Sequence, residues 1–287
     1  MMNFLQADAA LLPFADKAFD LTFTSPPYLA ARTYGMGGAA ERKCADWIDW
    51  MLDVVAECVR VTRGLVLINC AGSTQNWCYQ PGAEGLLYEW WRRGGKCWRP
   101  VFWHRSGIPG SGGKQWLRAD MEYVLAFTGC KGEIPWADNK ANGQEPKFAS
   151  SGPMTHRKSD GSRVKNGTAF KRIEHDKDGN TKGAHDRLVD LKIANPGNVL
   201  KIKVGGGLMG PPECHENEAP FPEALAAWFI RGWCPPGGIV LDPFSGSGTT
   251  VAAAASLGRR GVGCDLRFSQ CELGRRRCRN VQQELFA

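Results

Sequence analysis

The sequence predicts an α/β fold of the Rossmann kind, a largely parallel sheet flanked by helices. Three observations predict it. Short apolar runs of strand length alternate with amphipathic helical stretches over most of the 287 residues. Near the end of the chain, a strand at 239–242, a glycine-rich turn, an alanine-rich helix at 249–257 and a strand at 261–265 form a strand–helix–strand unit. Two strands far apart in the chain also run straight into turns of unusual composition, Thr24-Ser25-Pro26-Pro27-Tyr28 and Asp242-Pro243-Phe244-Ser245-Gly246-Ser247-Gly248-Thr249-Thr250. Open α/β sheets build ligand sites from such turns at the carboxyl ends of their strands, so the two turns are expected to form two halves of one site.

The elements follow in order. Residues 1–28 read as a turn, a short helix or loop, and then a strand at 19–24. Over 46–62, Trp47, Ile48, Trp50, Met51, Val54, Val55, Cys58 and Val59 recur at helical spacing, with Asp46 placed to cap the start and Gly64 following the end. A short buried strand is expected at 65–69, a helix at 84–93 stopped by Gly94-Gly95, and strands at 101–104 and 123–127. From 129 to about 196 the chain becomes rich in Gly, Asn, Asp, Lys, Ser and Arg, and periodicity is lost. So long a stretch reads as disorder, or as a separate insert that orders on a partner. A strand at 199–204 leads out of it. A helix within 220–233 carries Leu225, Trp228, Phe229 and Ile230 on one face, and a closing helix spans 269–285. The domain organisation expected is therefore 1–129 and 201–287 as two parts of one domain, with 130–200 inserted between them.

Composition narrows the function. No apolar stretch approaches the ~20 residues a membrane helix needs, and the first residues lack a signal peptide's basic region and apolar run. A cytoplasmic protein without membrane contact is expected. The chain has eleven cysteines and no Cys-x-x-Cys pair; Cys264, Cys271 and Cys278 recur every seven residues. They read as reduced thiols filling a core, with a zinc site as the alternative, and no metal is expected. The net charge is +7, with a surplus of Lys and Arg in residues 131–200. That surplus points to a polyanionic partner, against the plainer reading of a solvated loop.

The glycine turn permits close backbone approach to a ligand and opens a helix whose free amides point at it. A phosphate-binding loop would need Lys before the Ser/Thr, and Gly248-Thr249-Thr250 stands there instead. The dinucleotide pattern fails as well, because Val251 occupies the third glycine position. Asp265 ends the next strand, 23 positions after Asp242, where an acid accepts ribose hydroxyls. A ribose-bearing cofactor without a phosphate requirement fits, and S-adenosylmethionine is one, with Asp242 near its amino acid end. A plain strand–turn–helix connection is the alternative.

Ser25-Pro26-Pro27-Tyr28 suits an aromatic amine. The two prolines lack N–H groups and stiffen the backbone, leaving carbonyls without local partners. The Ser25 hydroxyl and the Pro26 carbonyl can accept two N–H bonds, and the Tyr28 ring can stack on a heterocycle. Taken alone, the tetrapeptide also reads as a surface turn ending in a buried tyrosine.

Together, the two motifs and their surroundings resemble the DNA amino-methyltransferases, which modify the 6-amino group of adenine or the 4-amino group of cytosine. The resemblance includes Leu12-Pro13-Phe14, Phe19-Asp20-Leu21, Glu57-Cys58-Val59-Arg60-Val61, Glu122-Tyr123-Val124-Leu125, and His215 with Phe221-Pro222-Glu223-Ala224-Leu225. With the catalytic motif first and the cofactor motif last, the order is similar to the family's permuted β arrangement. The resemblance implies a Rossmann-like, S-adenosylmethionine-dependent methyltransferase fold with a target-recognition region at 130–200. It implies catalytic roles for Ser25, Pro26, Pro27 and Tyr28, acting on a base flipped out of the duplex. Cofactor contacts are expected from Asp242, Phe244, Gly246, Gly248, Thr249, Asp265, Phe221, Pro222 and Asp8. DNA contacts are expected from the cluster Arg157, Lys158, Arg163, Lys165, Lys171 and Arg172. His104 and His215 read as structural, and Arg275-Arg276-Arg277 as an exposed basic helix face.

Ser before Pro-Pro-Tyr goes more with cytosine in this family, and Asp or Asn more with adenine. Both amines present the same N–H geometry, so the two bases stay open at near-even odds. Double-stranded DNA is the expected partner, with a homodimer and a cognate restriction enzyme as further possibilities. The rival readings are an RNA or protein methyltransferase of the same fold, and a catalytically inactive DNA-binding relative.

Overall fold

The computed structural model describes residues 2–29, 43–106, 115–144, 154–157, 160–166, 171–175, 181–186, 193–205, 207–217 and 219–286. The elements in chain order are β1 (Met2–Gln6), β2 (Leu21–Thr24), α1 (Cys44–Val61), β3 (Leu65–Cys70), β4 (Ser73–Gln75), β5 (Cys78–Gln80), α2 (Gly82–Arg92), β6 (Lys96–Ser106) and β7 (Met121–Thr128). Then come β8 (Met154–Arg157), β9 (Arg163–Asn166), β10 (Lys171–His175), β11 (Thr181–Asp186), β12 (Val199–Lys203) and a 3-10 turn (Pro212–Glu216). The chain closes with α3 (Glu223–Trp233), β13 (Ile239–Asp242), α4 (Thr249–Ser256), β14 (Arg260–Asp265) and α5 (Phe268–Phe286).

Eight strands form one sheet in the order β1-β14-β13-β2-β3-β7-β6-β12. The first five run parallel. β7 is antiparallel to both of its neighbours, and β12 lies parallel to β6. The order reverses between β13 and β2. From β13 the chain steps through α4 to β14, and from β2 it steps the other way through α1 to β3. At such a switch point the two connections diverge and leave a crevice at the carboxyl ends of the strands.

The central strands are apolar on both faces because both faces are covered. Leu21, Phe23, Leu65 and Leu67 pack with Leu225, Phe229 and Ile230 of α3 and with Ala253 and Ala254 of α4. Val66 and Ile68, one residue out of phase, pack with Trp47, Met51, Val55 and Cys58 of α1. Two segments named in the resemblance also hold each other. Arg60 on α1 donates to the carbonyls of Leu12 and Phe14, and Glu57 accepts from the Leu12 amide.

Residues 1–141 with 197–287 form one compact unit, and 142–196 form a second. The second contains two antiparallel pairs, β8 with β9 and β10 with β11, and an isolated bridge from Gln144 to Ala194. Their sequences, such as Arg163-Val164-Lys165-Asn166, alternate too little in polarity to announce a strand.

Three local expectations are corrected. Residues 2–6 form the edge strand β1 rather than a turn, helix or loop; Asn3, Leu5 and Gln6 are exposed beside buried Phe4, so little apolar alternation marks the strand. Lys43, not Asp46, precedes the first turn of α1, with no side-chain cap, and Asp46 sits inside that turn. The hairpin of β4 and β5 follows β3 directly, where no strand was expected.

The Phe4 ring explains three glycines. A Cβ on Gly274, Gly263 or Gly248 would stand 2.3, 2.7 or 2.8 Å from it, and Gly248 also has a left-handed φ of +82°. The ring thus ties β1 to the start of α4, to β14 and to α5. Gly274→Ala should lower stability by about 1–3 kcal/mol through overpacking, measured as a fall in the urea midpoint. Adding Phe4→Leu should recover part of that loss, whereas strictly additive costs would show that the ring is not the obstacle.

Candidate active site

The carboxyl ends of β2 and β13 lie side by side, and a hydrogen bond joins them. Thr24 Oγ1 donates to Asp242 Oδ1 at 2.6 Å, with both residues buried. Asp242 Oδ1 also accepts from the Phe244 amide at 3.1 Å. These bonds favour the carboxylate, but burial outweighs them and pushes its pKa up to about 6. The two motifs of the sequence are therefore one place in the molecule.

The glycine turn is held from three directions. Asp265, at the end of β14, accepts from the Gly246 amide at 3.1 Å and the Arg267 amide at 2.9 Å. Gly246 has φ +48°, and a Cβ there would meet the Asn217 side chain at 2.7 Å. Arg277 of α5 is buried. It donates to the Ser247 carbonyl at 3.2 Å and to Thr249 Oγ1 at 2.9 Å, and it pairs with Glu223 at the start of α3. The expected exposed basic face of Arg275-Arg276-Arg277 is corrected accordingly. Arg277 is interior, Arg275 donates to the Phe4 carbonyl, and Arg276 pairs with Glu216.

Phe244 is half-buried, its ring edge-on to Trp50 of α1 at 5.7 Å. Phe221 packs edge-on against Phe23 of β2 at 5.7 Å, and Pro222 is buried just before α3. Asp8 is exposed and lies two residues past Gln6, whose register partner is Asp265; its carboxylate accepts from the Ala10 amide. The Ser245 hydroxyl is buried with no hydrogen-bond partner among the described residues. Two carboxylates at neighbouring strand ends, that open hydroxyl and the start of α4 make a donor and acceptor set that fits a neutral ribose and an amino acid moiety.

The Ser-Pro-Pro-Tyr half contains a hydrogen-bond network that sequence reasoning did not assign. Tyr28 Oη donates to Glu122 Oε2 at 2.5 Å. Asn69 Nδ2 donates to Tyr28 Oη at 2.7 Å and to Glu122 Oε2 at 2.8 Å. Arg105 Nη1 pairs with Glu122 Oε1 at 2.8 Å. Ser25 Oγ donates to Tyr28 Oη at 3.3 Å. Burial, then the nearby Glu122 charge and hydrogen bond, hold the Tyr28 phenol well above its usual pKa, so it stays protonated. Pro26 is buried, and the Pro27 carbonyl accepts from Trp47 Nε1 at 2.9 Å. Asn69 shows in the sequence only as a polar residue ending the apolar strand Leu65-Val66-Leu67-Ile68-Asn69, while Glu122 opens the segment Glu122-Tyr123-Val124-Leu125 of the resemblance, where it carries no assigned role.

Of the expected DNA contacts, Arg157 lies on β8, Arg163 and Lys165 on β9, and Lys171 and Arg172 on β10, while Lys158 lies outside the described residues. Arg157 and Arg163 are direct register partners. His215 is exposed on the 3-10 turn, and His104 Nε2 lies 3.4 Å from Asp120 Oδ2. Among the described residues no cluster of His, Cys, Asp and Glu could hold a metal ion, and no helix is long and apolar enough to cross a membrane. The cysteines are unpaired, and Cys58, Cys70, Cys214, Cys234, Cys264, Cys271 and Cys278 are buried.

A switch-point crevice thus joins a Ser-Pro-Pro-Tyr turn to a glycine turn between two acids. The family model described as DNA methylase, covering enzymes of the N6 and N4 type, matches residues 19–276. The chain belongs to that family and is an S-adenosylmethionine-dependent DNA methyltransferase. It is 27% identical over 270 residues to the DNA adenine methyltransferase YhdJ of Escherichia coli K12, covering 94% of this chain and 79% of that protein. The fold is similar to that of the cytosine-N4-specific PvuII DNA methyltransferase, with a TM-score of 0.66 and 16% identity, over 98% of this chain and 90% of that one. It is also similar to M1.HpyAVI solved as a complex with S-adenosylmethionine, with a TM-score of 0.54 and 16% identity, over 96% of this chain and 98% of that one.

Two outcomes are expected from this geometry. Glu122→Gln weakens a charge-assisted bond to Tyr28 and should lower the methyl-transfer rate about ten-fold or more, while cofactor affinity by calorimetry stays near wild type. A parallel loss of both would mean that the residue merely supports the fold. The raised pKa of Asp242 means that the folded state holds a proton the unfolded chain releases from about pH 4 upward. Its contribution to stability is thus present at low pH and lost as pH rises through about 6. Between pH 5 and 7 the Asp242→Asn variant should gain about 1 kcal/mol on wild type in urea unfolding, and a pH-independent difference would contradict the raised value.

Proposed function

We propose that the chain methylates the exocyclic amino group of one base, adenine N6 or cytosine N4, within a short recognition site in double-stranded DNA. The hydrogen bond between Thr24 and Asp242 carries this reading, since it joins the amine-binding turn to the cofactor turn. S-adenosylmethionine supplies an electrophilic sulfonium methyl when bound. Asp242, Asp265, Gly246, Gly248, Thr249, Phe244, Phe221, Pro222 and Asp8 would hold it.

The chain's own residues would do the rest by positioning. A base amine is a poor nucleophile because its lone pair is delocalised into the ring. Accepting both of its N–H bonds draws the nitrogen toward tetrahedral geometry and frees the lone pair for attack. Ser25 is set up as an acceptor, because its own proton is directed to Tyr28 Oη. The Pro26 carbonyl offers a second acceptor. So does Asn69 Oδ1, which is buried with no partner among the described residues. Tyr28 is oriented through its hydroxyl, and its ring would stack on the flipped base. No strong base is needed beforehand, since the amine becomes acidic once methylated.

The basic segment at 130–200 supports contact with DNA. The unpaired, buried thiols support a reducing cytoplasm. YhdJ, named for adenine, and the PvuII enzyme, named for cytosine N4, support neither base over the other.

Expression in a methylation-free bacterial host, followed by modification-sensitive long-read sequencing of the host DNA, should reveal one modified base within one short motif. Ser25→Ala and Tyr28→Ala should each lower transfer about a hundred-fold while retaining cofactor binding. Full activity in both variants would overturn the catalytic assignment. A folded, cofactor-binding wild type that leaves the DNA unmodified would favour RNA as substrate or a DNA-binding role.

A further inference from the structure

The hairpin of β4 and β5 rises from the carboxyl end of β3, the strand that pairs with β2 and carries Asn69. Its turn is the pair Asn76-Trp77, with left-handed φ values of +48° and +63°. Two-residue turns of this hand match the twist of the flanking strands, and their second position favours glycine. Asparagine tolerates the conformation, whereas a bulky tryptophan there is an outlier. Packing returns nothing for the strain, because Trp77 is 88% exposed.

The hairpin beneath it is well anchored. The Tyr79 phenol lies over Gly72, where a Cβ would stand 2.3 Å from its oxygen. Tyr79 Oη donates to Glu84 of α2 at 2.7 Å, and the same carboxylate oxygen accepts from Tyr123 of β7 at 3.1 Å. An indole held bare in water on a strained but anchored turn is the pattern of a surface kept for contact rather than for stability.

We propose that Trp77 inserts into the DNA stack when the target base leaves it, filling the gap with its ring. The proposal rests on the reading that this enzyme methylates a flipped base. The base must enter at the sheet edge where Ser25 and Tyr28 lie. Ser73 begins the hairpin four residues after Asn69, which donates to Tyr28 Oη. Three strand residues span at most roughly 10 Å, a reach that would let Trp77 meet a duplex lying across the crevice. Flat apolar side chains wedge between base steps and offset lost stacking. Aromatic stacking does not read the base, so the role is the same for adenine or cytosine.

Trp77→Gly suits the left-handed turn and keeps the hairpin, and Trp77→Phe keeps a ring. Each is assayed on a duplex carrying the site found by sequencing, once fully paired and once with the target base mismatched. Trp77→Gly should lower kcat/KM on the paired duplex about ten-fold or more. On the mismatched duplex the loss should shrink to about three-fold or less, because unpairing there already costs little. Trp77→Phe should stay close to wild type, and cofactor affinity should not change. Full activity of Trp77→Gly on the paired duplex would overturn the proposal, as would an equal loss on both duplexes. Wild type inactive on both duplexes would overturn the reading of the reaction, and this proposal with it.

Discussion

The hydrogen bond from Thr24 to Asp242 depends on β2 and β13 being parallel neighbours, and the rest of the site depends on that bond. A buried carboxylate is costly unless its oxygens find donors. Here donors come from both motifs, Thr24 from the first and the Phe244 amide and the Thr250 hydroxyl from the second. The same contact that satisfies Asp242 therefore fixes the distance between the two turns. Its raised pKa, about 6, shows that the compensation is incomplete. The carboxyl is ionised at neutral pH, where a cationic group in the crevice would find it.

Each half of the site is held from behind by parts of the chain that are distant in sequence. Ser25 and Tyr28 are oriented by Asn69 from β3, Glu122 from β7 and Arg105 from β6. The direction of donation matters. Arg105 and Asn69 donate to Glu122, Asn69 and Ser25 donate to Tyr28 Oη, and Tyr28 donates to Glu122, which leaves the serine lone pairs open as acceptors. On the other side, Arg277 of α5 fixes the glycine turn, while Asn217 fills the space beside Gly246 and Phe4 that beside Gly248. Sites supported in this way keep their geometry without relying on the loop alone.

Much of this was legible before folding. The helical spacing from Trp47 to Val59 marks α1 because one face must be buried. The glycines, alanines and apolar strands of 239–265 mark β13, α4 and β14. The two turns are visible because their residue types are rare in combination. Other features left no such mark. β1 is an edge strand with little apolar alternation, and β8 to β11 are short and polar. Arg277 looks like its neighbours Arg275 and Arg276, and only the rotation of α5 against α4 decides that it is the interior one.

The sequence by itself determined the class of fold, the nature of the chemistry and the residues at the two turns, because turn geometry and strand burial are local demands met by local residue types. Tertiary structure decided which partners complete those residues. It paired Thr24 with Asp242 across 218 positions and Tyr28 with Glu122 across 94, assigned Gly248 to the Phe4 ring, and left Trp77 exposed at the tip of the hairpin that follows β3. Such pairings follow from strand order and helix rotation, and these are set by how the whole core packs.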